Sequence, residues 1–253
     1  MYVDTHCHLD DTRFDVNEEV KNYLRVGVSK VINVGCNLSS SLKGKQLADK
    51  YESIYFGAGF HPSDANDYNQ QAEDVIIKLL GDKKCVCVGE IGLDYHWEPY
   101  DKQVQQRVFL RQLELAKEHK LPVSVHCRDA TEDMIKTLKE NKDKLVYGGV
   151  MHCYSGSVET AKELLNLGFC LGFGGTVTFK NARKTVEVAE FCPNDRILTE
   201  TDCPYLSPEP YRGQTNSPER IPIITSFIAN LKRMDNVEFA SVVMENARKL
   251  FKF

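Results

Sequence analysis

The sequence predicts an α/β protein built as a (β/α)8 TIM barrel. Eight short apolar runs alternate with amphipathic stretches along the chain. The runs are apolar on both faces, as strands are when helices cover both sides of a parallel sheet. No G-x-G-x-x-G follows the first run, which removes the fingerprint of an open dinucleotide-binding sheet. A length of 253 residues fits one such barrel, and no repeat, low-complexity tract or Pro/Gly/Ser-rich linker divides it. Residues 1–253 are therefore expected to form a single domain.

Taken in order, the strand-like runs cover residues 2–4, 30–34, 54–58, 85–88, 122–126, 147–152, 169–173 and 196–200. Between the fourth and fifth, residues 102–117 (KQVQQRVFLRQLELAK) put Val104, Val108, Leu110, Leu113 and Leu115 on about half of a helical surface. Residues 218–231 and 237–250 read as outer helices that finish the ring. Strands that alternate with helices in this way pair in parallel, and eight of them favour a closed barrel over an open sheet.

Composition narrows the function. Hydrophobic residues make up 42% and charged residues 27% of the chain, both ordinary for a globular protein. Mean hydropathy is -0.37, and no apolar run approaches the roughly 18 residues that span a bilayer. The start, MYVDTHCH, has neither a basic segment nor a long apolar one, so a cytoplasmic, membrane-free protein is expected. No obligate protein partner is indicated. Nine cysteines form no spaced framework, and Cys7, Cys127, Cys153 and Cys203 each directly follow a His or Asp, which favours reduced thiols. A net charge of -4 argues against a broad basic surface for duplex DNA. An anionic substrate would have to meet local positive charge, from bound metal ions or a few arginines.

The polar residues cluster where strands end. His6 and His8 follow the first strand, His61 the third, and Glu90 and Asp94 the fourth. His126 ends the fifth, His152 the sixth, and Glu200 and Asp202 follow the eighth. A lone histidine is most often an ordinary hydrogen-bonded residue, but the C-terminal ends of parallel barrel strands all open at one rim, so these side chains converge. Strand alternation points His6 and His8 the same way and makes Glu200 and Asp202 a second same-side pair. The same alternation turns Cys7, Cys127, Cys153 and Cys203 towards the helical layer as packing residues, and puts Cys85 and Cys87 opposite Glu90. Imidazoles suit borderline transition metals, and a carboxylate such as Glu90 can bridge two cations about 3.5–4 Å apart. Without cations, burying Glu90, Glu200 and Asp202 together would cost several kcal/mol per unpaired charge. The expectation is a centre of two divalent ions.

Read as motifs, the strand ends are DTHCHLD at 4–10, GFHP at 59–62, GEIGLDY at 89–95, PVSVHCRDA at 122–130, HCYSGS at 152–157, GFGG at 172–175, ETDCPYLSP at 200–208 and RGQTNSP at 212–218. In this order they resemble, nearly end to end, the TatD family of metal-dependent deoxyribonucleases. The resemblance implies a TIM barrel of the metal-dependent hydrolase type. It implies that His6, His8, Glu90 and Asp202 hold one ion, and that Glu90, His126 and His152 hold the other. It also implies that His61, Asp94, Arg128, Ser155, Glu200 and Arg212 line the place of the scissile phosphate, with Glu200 alternatively orienting a metal ligand.

The activity so implied is hydrolysis of DNA phosphodiesters, trimming single-stranded or frayed ends with a water activated by two ions. Zinc, manganese, magnesium, iron and cobalt all suit such ligands. Asp202 is the expected general base and Glu90 the other catalytic carboxylate; His61 or Arg128 would orient the phosphate oxygens. The chain departs from the family pattern at Gln214 and Thr215, where members often carry basic residues, and at Cys127, where many have serine. Tyr95 and Trp97 form either a stacking platform for a terminal base or rim packing. Two other readings remain at this point: an amidohydrolase-like enzyme for a small ester or amide, and a binding protein with a structural metal.

Overall fold

A computed structural model describes residues 1–253. Eight strands follow one another as β1 (Tyr2–Cys7), β2 (Val28–Val34), β3 (Ile54–Ala58), β4 (Cys85–Asp94), β5 (Val123–Arg128), β6 (Gly149–Met151), β7 (Phe169–Phe173) and β8 (Ile197–Thr199). All seven neighbouring pairs are parallel, in the order β1 to β8. Nine helices interleave and close the ring outside: α1 (Val16–Arg25), α2 (Leu38–Lys50), α3 (Gln70–Leu80), α4 (Lys102–His119), α5 (Thr131–Glu140), α6 (Val158–Asn166), α7 (Arg183–Phe191), α8 (Ile221–Leu231) and α9 (Asn236–Phe251). This is the (β/α)8 barrel that the apolar pattern predicts. No helix is long and apolar enough to cross a membrane.

β3 and β7 begin and end where the pattern puts them. β2 starts two residues early, at Val28, and β6 two late, at Gly149; the departures that matter for the site fall at strand ends that carry polar side chains, where an apolar pattern stops short. β1 continues through His6 to Cys7, and β4 runs on past Val88 to Asp94, so Glu90 and Asp94 lie inside the strand rather than after it. Conversely, β6 and β8 are only three residues each, which leaves His152 and Glu200 just beyond the ladder. Gly92 allows the long β4 to pass close to β5: its φ is +147, and a side chain there would collide with the His126 carbonyl.

The β1–β8 seam closes mainly through side chains. Thr5 Oγ1 donates to the Thr199 carbonyl at 3.2 Å, and Thr199 Oγ1 donates to that of Val3 at 3.4 Å. The buried carboxylate of Asp4 accepts from Thr201 N at 3.0 Å, Thr201 Oγ1 at 2.5 Å and His6 N at 3.2 Å. Past the strands, Asp202 N donates to His6 O and His8 N to Cys203 O, both at 2.9 Å. The segment after β8 is thereby sewn along the end of β1, which brings Asp202 to the two histidines although 194 residues separate it from His8.

Two buried glutamines of α4 extend the same logic on the other side of the barrel. Gln105 Oε1 accepts from Asp94 N at 2.9 Å while its Nε2 donates to Asp94 O at 2.8 Å. Gln112 does the same for Phe60, at 2.7 and 3.0 Å. Spaced seven apart, they lie on one face of α4 and satisfy backbone groups next to His61 and at the end of β4. Sequence periodicity does not reveal them, because it scores a glutamine as a break in the apolar stripe.

Candidate metal centre

Five of the seven histidines meet Glu90 at the C-terminal rim of the barrel. Glu90 Oε2 stands 3.3 Å from His6 Nε2 and 3.7 Å from His8 Nε2. Asp202 Oδ1 completes this group, 3.2 Å from His8 Nε2 and 3.9 Å from His6 Nε2. The other oxygen, Oε1, stands 2.9 Å from both His126 Nδ1 and His152 Nε2, which are themselves 3.4 Å apart. Donors bound at about 2.0–2.2 Å to one ion are separated by roughly 3–3.6 Å, and the separations here, 2.9–3.9 Å, bracket that spacing within a few tenths of an ångström. The buried His6 Nε2 has no hydrogen-bond partner, as expected of a lone pair kept for a cation. The residues present therefore fit two divalent ions that share Glu90.

Three of the four candidate ligand histidines are held by a hydrogen-bond partner at their other nitrogen, which leaves one lone pair for the cluster, and the fourth, His152, turns that nitrogen to a carboxylate. His8 Nδ1 must donate to the Val34 carbonyl, at 2.9 Å, so Nε2 is the free atom. His6 Nδ1 meets Ser124 Oγ at 3.2 Å, and His126 Nε2 meets Asp94 Oδ2 at 3.0 Å. His152 Nδ1 faces Glu200 Oε1 at 3.5 Å. His61 is the exception. Its Nδ1 accepts from Ser63 N at 3.1 Å, so in the neutral ring the proton resides on Nε2, the atom 3.7 Å from Glu90 Oε1. Burial lowers the His61 pKa to about 4, so the ring is neutral near pH 7 and offers the site an N–H rather than a lone pair.

Charge balance points the same way. Burial opposes ionisation of Glu90, yet the facing imidazoles, His152 foremost, hold its carboxyl well below the usual range. For His152 burial again opposes the charge, and Glu90 and Glu200 outweigh it, raising the ring well above the ordinary histidine value. Burial and the proximity of His152 keep His6 low. Imidazolium protons and divalent cations are alternative ways of neutralising these carboxylates, so metal loading releases protons.

The structure relocates several residues expected at the phosphate. Asp94, buried, turns its carboxylate under His126 and accepts from His96 N at 2.8 Å. Glu200, also buried, lies behind His152 and accepts from Cys153 N, a position from which it faces the histidine rather than the open rim. Arg212 stacks on Phe179, its guanidinium carbon 4.3 Å from the ring centre, and pairs with no cluster carboxylate. Arg128 and Ser155 are exposed at the rim, and the Arg128 guanidinium stands 5.2 Å from the Trp97 ring. Tyr95 and Trp97 do not make a joint platform: Tyr95 stacks on Tyr100 and donates its hydroxyl to Asp133. Cys7 and Cys203 are fully buried, in keeping with packing. Cys127 likewise packs against the core, its thiol towards Thr131 of α5, while Cys153 lines a cavity beside His152.

Four positioning side chains are not among the site residues that the sequence predicts: Ser124, Gln105, Gln112 and Cys36. Cys36, after β2, puts its Sγ 3.5 Å from Glu90 Oε2. Only a polar residue inside an apolar strand, as at Ser124, gave any signal.

Gly172 tests the role of Glu200 indirectly. A Cβ at this position would press into the Glu200 carboxylate, which has nowhere to move behind His152. Gly172→Ala is expected to destabilise the fold by about 1–3 kcal/mol and to weaken ion binding roughly 10- to 100-fold, although it alters no ligand. Chemical denaturation and a chelator-competition titration measure the two effects.

Comparison with known proteins points to a metal-dependent hydrolase. The family model described as TatD related DNase matches residues 3–252. The chain is 42% identical to an uncharacterized metal-dependent hydrolase, YabD, of Bacillus subtilis (strain 168), over 100% of this chain and 99% of that one. It is 36% identical to YcfH of Escherichia coli (strain K12), another uncharacterized metal-dependent hydrolase, over 98% and 95%. The crystal structure of YjjV, a TatD homolog from Escherichia coli K12, superposes with a TM-score of 0.94 at 31% identity, covering 100% of this chain and 98% of that one.

Proposed function

The chain belongs to the TatD related DNase family, and from that premise we propose that it is a two-ion, metal-dependent hydrolase that trims single-stranded or frayed DNA ends. The observation that carries this reading is Glu90, whose two oxygens each face a separate set of donor nitrogens. Divalent ions held there supply a water that ionises near neutral pH and positive charge for the attacking and leaving oxygens of a phosphodiester.

The chain's own groups do the rest. Asp202 Oδ1 lies in the cluster beside His8 Nε2, which leaves its second oxygen to take a proton from the attacking water. Burial would raise the Asp202 pKa, but in the ion-free protein the His8 hydrogen bond and the charges of His152 and His8 hold it below the usual value; bound cations would take over that role and keep the group an ionised acceptor at neutral pH. His61 donates its Nε2–H to a non-bridging phosphate oxygen. The exposed Arg128 guanidinium offers a planar fork to the same phosphate, and the Ser155 hydroxyl a further donor. Asp94, Glu200, Ser124 and Val34 hold the imidazoles in place.

Incubating the metal-loaded protein with end-labelled single-stranded, blunt and frayed oligonucleotides, alongside a panel of small esters and amides, tests the reading. Stepwise release of nucleotides from single-stranded ends is expected. Hydrolysis of an amide or ester without cleavage of any phosphodiester would overturn it in favour of a small-molecule hydrolase.

A further inference from the structure

Beside the ion cluster lies a cavity of about 390 Å³, between the loops that follow β5 and β6. Its size falls within the roughly 300–1,000 Å³ of small-ligand sites. His152 forms part of its wall and at the same time faces Glu90, so whatever fills the cavity adjoins the group held on the ions. The floor is apolar and flexible: Met134, Met151 and Leu164 are buried there, with Ile135 alongside. The rim is polar, formed by Arg128, Asp129 and others, with Arg128 backed by Trp97.

We propose that this cavity takes the nucleobase of the nucleotide whose phosphate lies at the ions, a role that rests on the nuclease reading. A base has two apolar faces and a polar edge. Thioethers and aliphatic carbons suit the faces, and the Arg128 guanidinium and the Asp129 oxygen not paired with His96 (2.7 Å) offer the edge a donor and an acceptor. Arg128 then stands between base and phosphate and can serve either. A second recess, of about 200 Å³ on the β3–β4 side, is lined by Asp94, Glu98 and Asp101 and would repel a nucleotide.

Calorimetric titration of the metal-loaded protein with 2′-deoxyadenosine 5′-monophosphate and with 2-deoxyribose 5-phosphate separates base from phosphate. The nucleotide is expected to bind about 10- to 100-fold tighter, as burying the faces of one base against apolar side chains implies. Ile135→Trp, which fills the cavity from α5, should shrink that ratio to about one while affinity for inorganic phosphate and ion content stay unchanged. Thr131→Trp, at the exposed start of the same helix, does the same without touching the core. Equal affinity of the two probes for the parent, or a ratio that survives in a folded filled variant, overturns the proposal. Each failure is distinct: a parent that prefers the nucleotide yet cleaves no DNA refutes the nuclease reading, whereas one that cleaves normal and abasic ends alike and binds both probes equally refutes the base pocket.

Discussion

Replacing Glu90 with glutamine is expected to lower phosphodiester hydrolysis by about a thousandfold or more, equivalent to roughly 4 kcal/mol of transition-state stabilisation. Both carboxylate oxygens are in use: Oε2 with His6 and His8, Oε1 with His126 and His152. A carboxamide keeps the shape but replaces one oxygen with an NH2 that cannot bind a cation, and it removes the negative charge that two cations share. The loss should appear in metal content as well as rate, with the ions retained per chain after gel filtration falling from two to one or none. A Glu90→Gln protein that keeps two ions and parental activity would refute the shared-carboxylate centre. Because Glu90 is buried among imidazoles, circular dichroism on the same sample shows whether the fold persists.

Asp202→Asn has the second largest expected effect, a fall in kcat of about 10²–10⁴-fold, the usual span for removing a general base. Its pattern differs from that of Glu90. Asp202 Oδ1 touches only His6 and His8, so the His126–His152 group keeps its donors and its ion. The expected outcome is one ion held near parental affinity, one weakened, and a KM for short oligonucleotides changed far less than kcat. Parental kcat in the asparagine variant would remove Asp202 from the reaction and leave the metals and His61 to carry it.

Much of this centre was legible before any coordinates. Histidines and carboxylates in a mostly apolar chain stand out at strand ends, and parallel strands of one barrel have a single C-terminal rim. Hence His6, His8, Glu90, His126, His152 and Asp202 could be assembled across almost two hundred residues, and the structure does bring them together. The errors share a cause. Assigning a side chain to a face by alternation requires a strand, and β6 and β8 stop at Met151 and Thr199. Beyond them, Cys153 has φ +45 and Asp202 φ +55, left-handed conformations that break the two-residue period. Cys153 thus lines a cavity instead of packing under a helix, and Glu200 and Asp202 part company, one behind His152 and the other against His8.

The sequence by itself determined the barrel and which histidines and carboxylates gather at its rim, since apolar periodicity and donor chemistry are properties of residues and their spacing. Only the tertiary structure decided which nitrogen of each ring is free, which carboxylates face the ions and which brace histidines, how the seam closes and where a cavity opens. Those outcomes depend on partners distant in the chain, such as Ser124 at His6, Val34 at His8 and Asp94 at His126, whose approach no local pattern encodes.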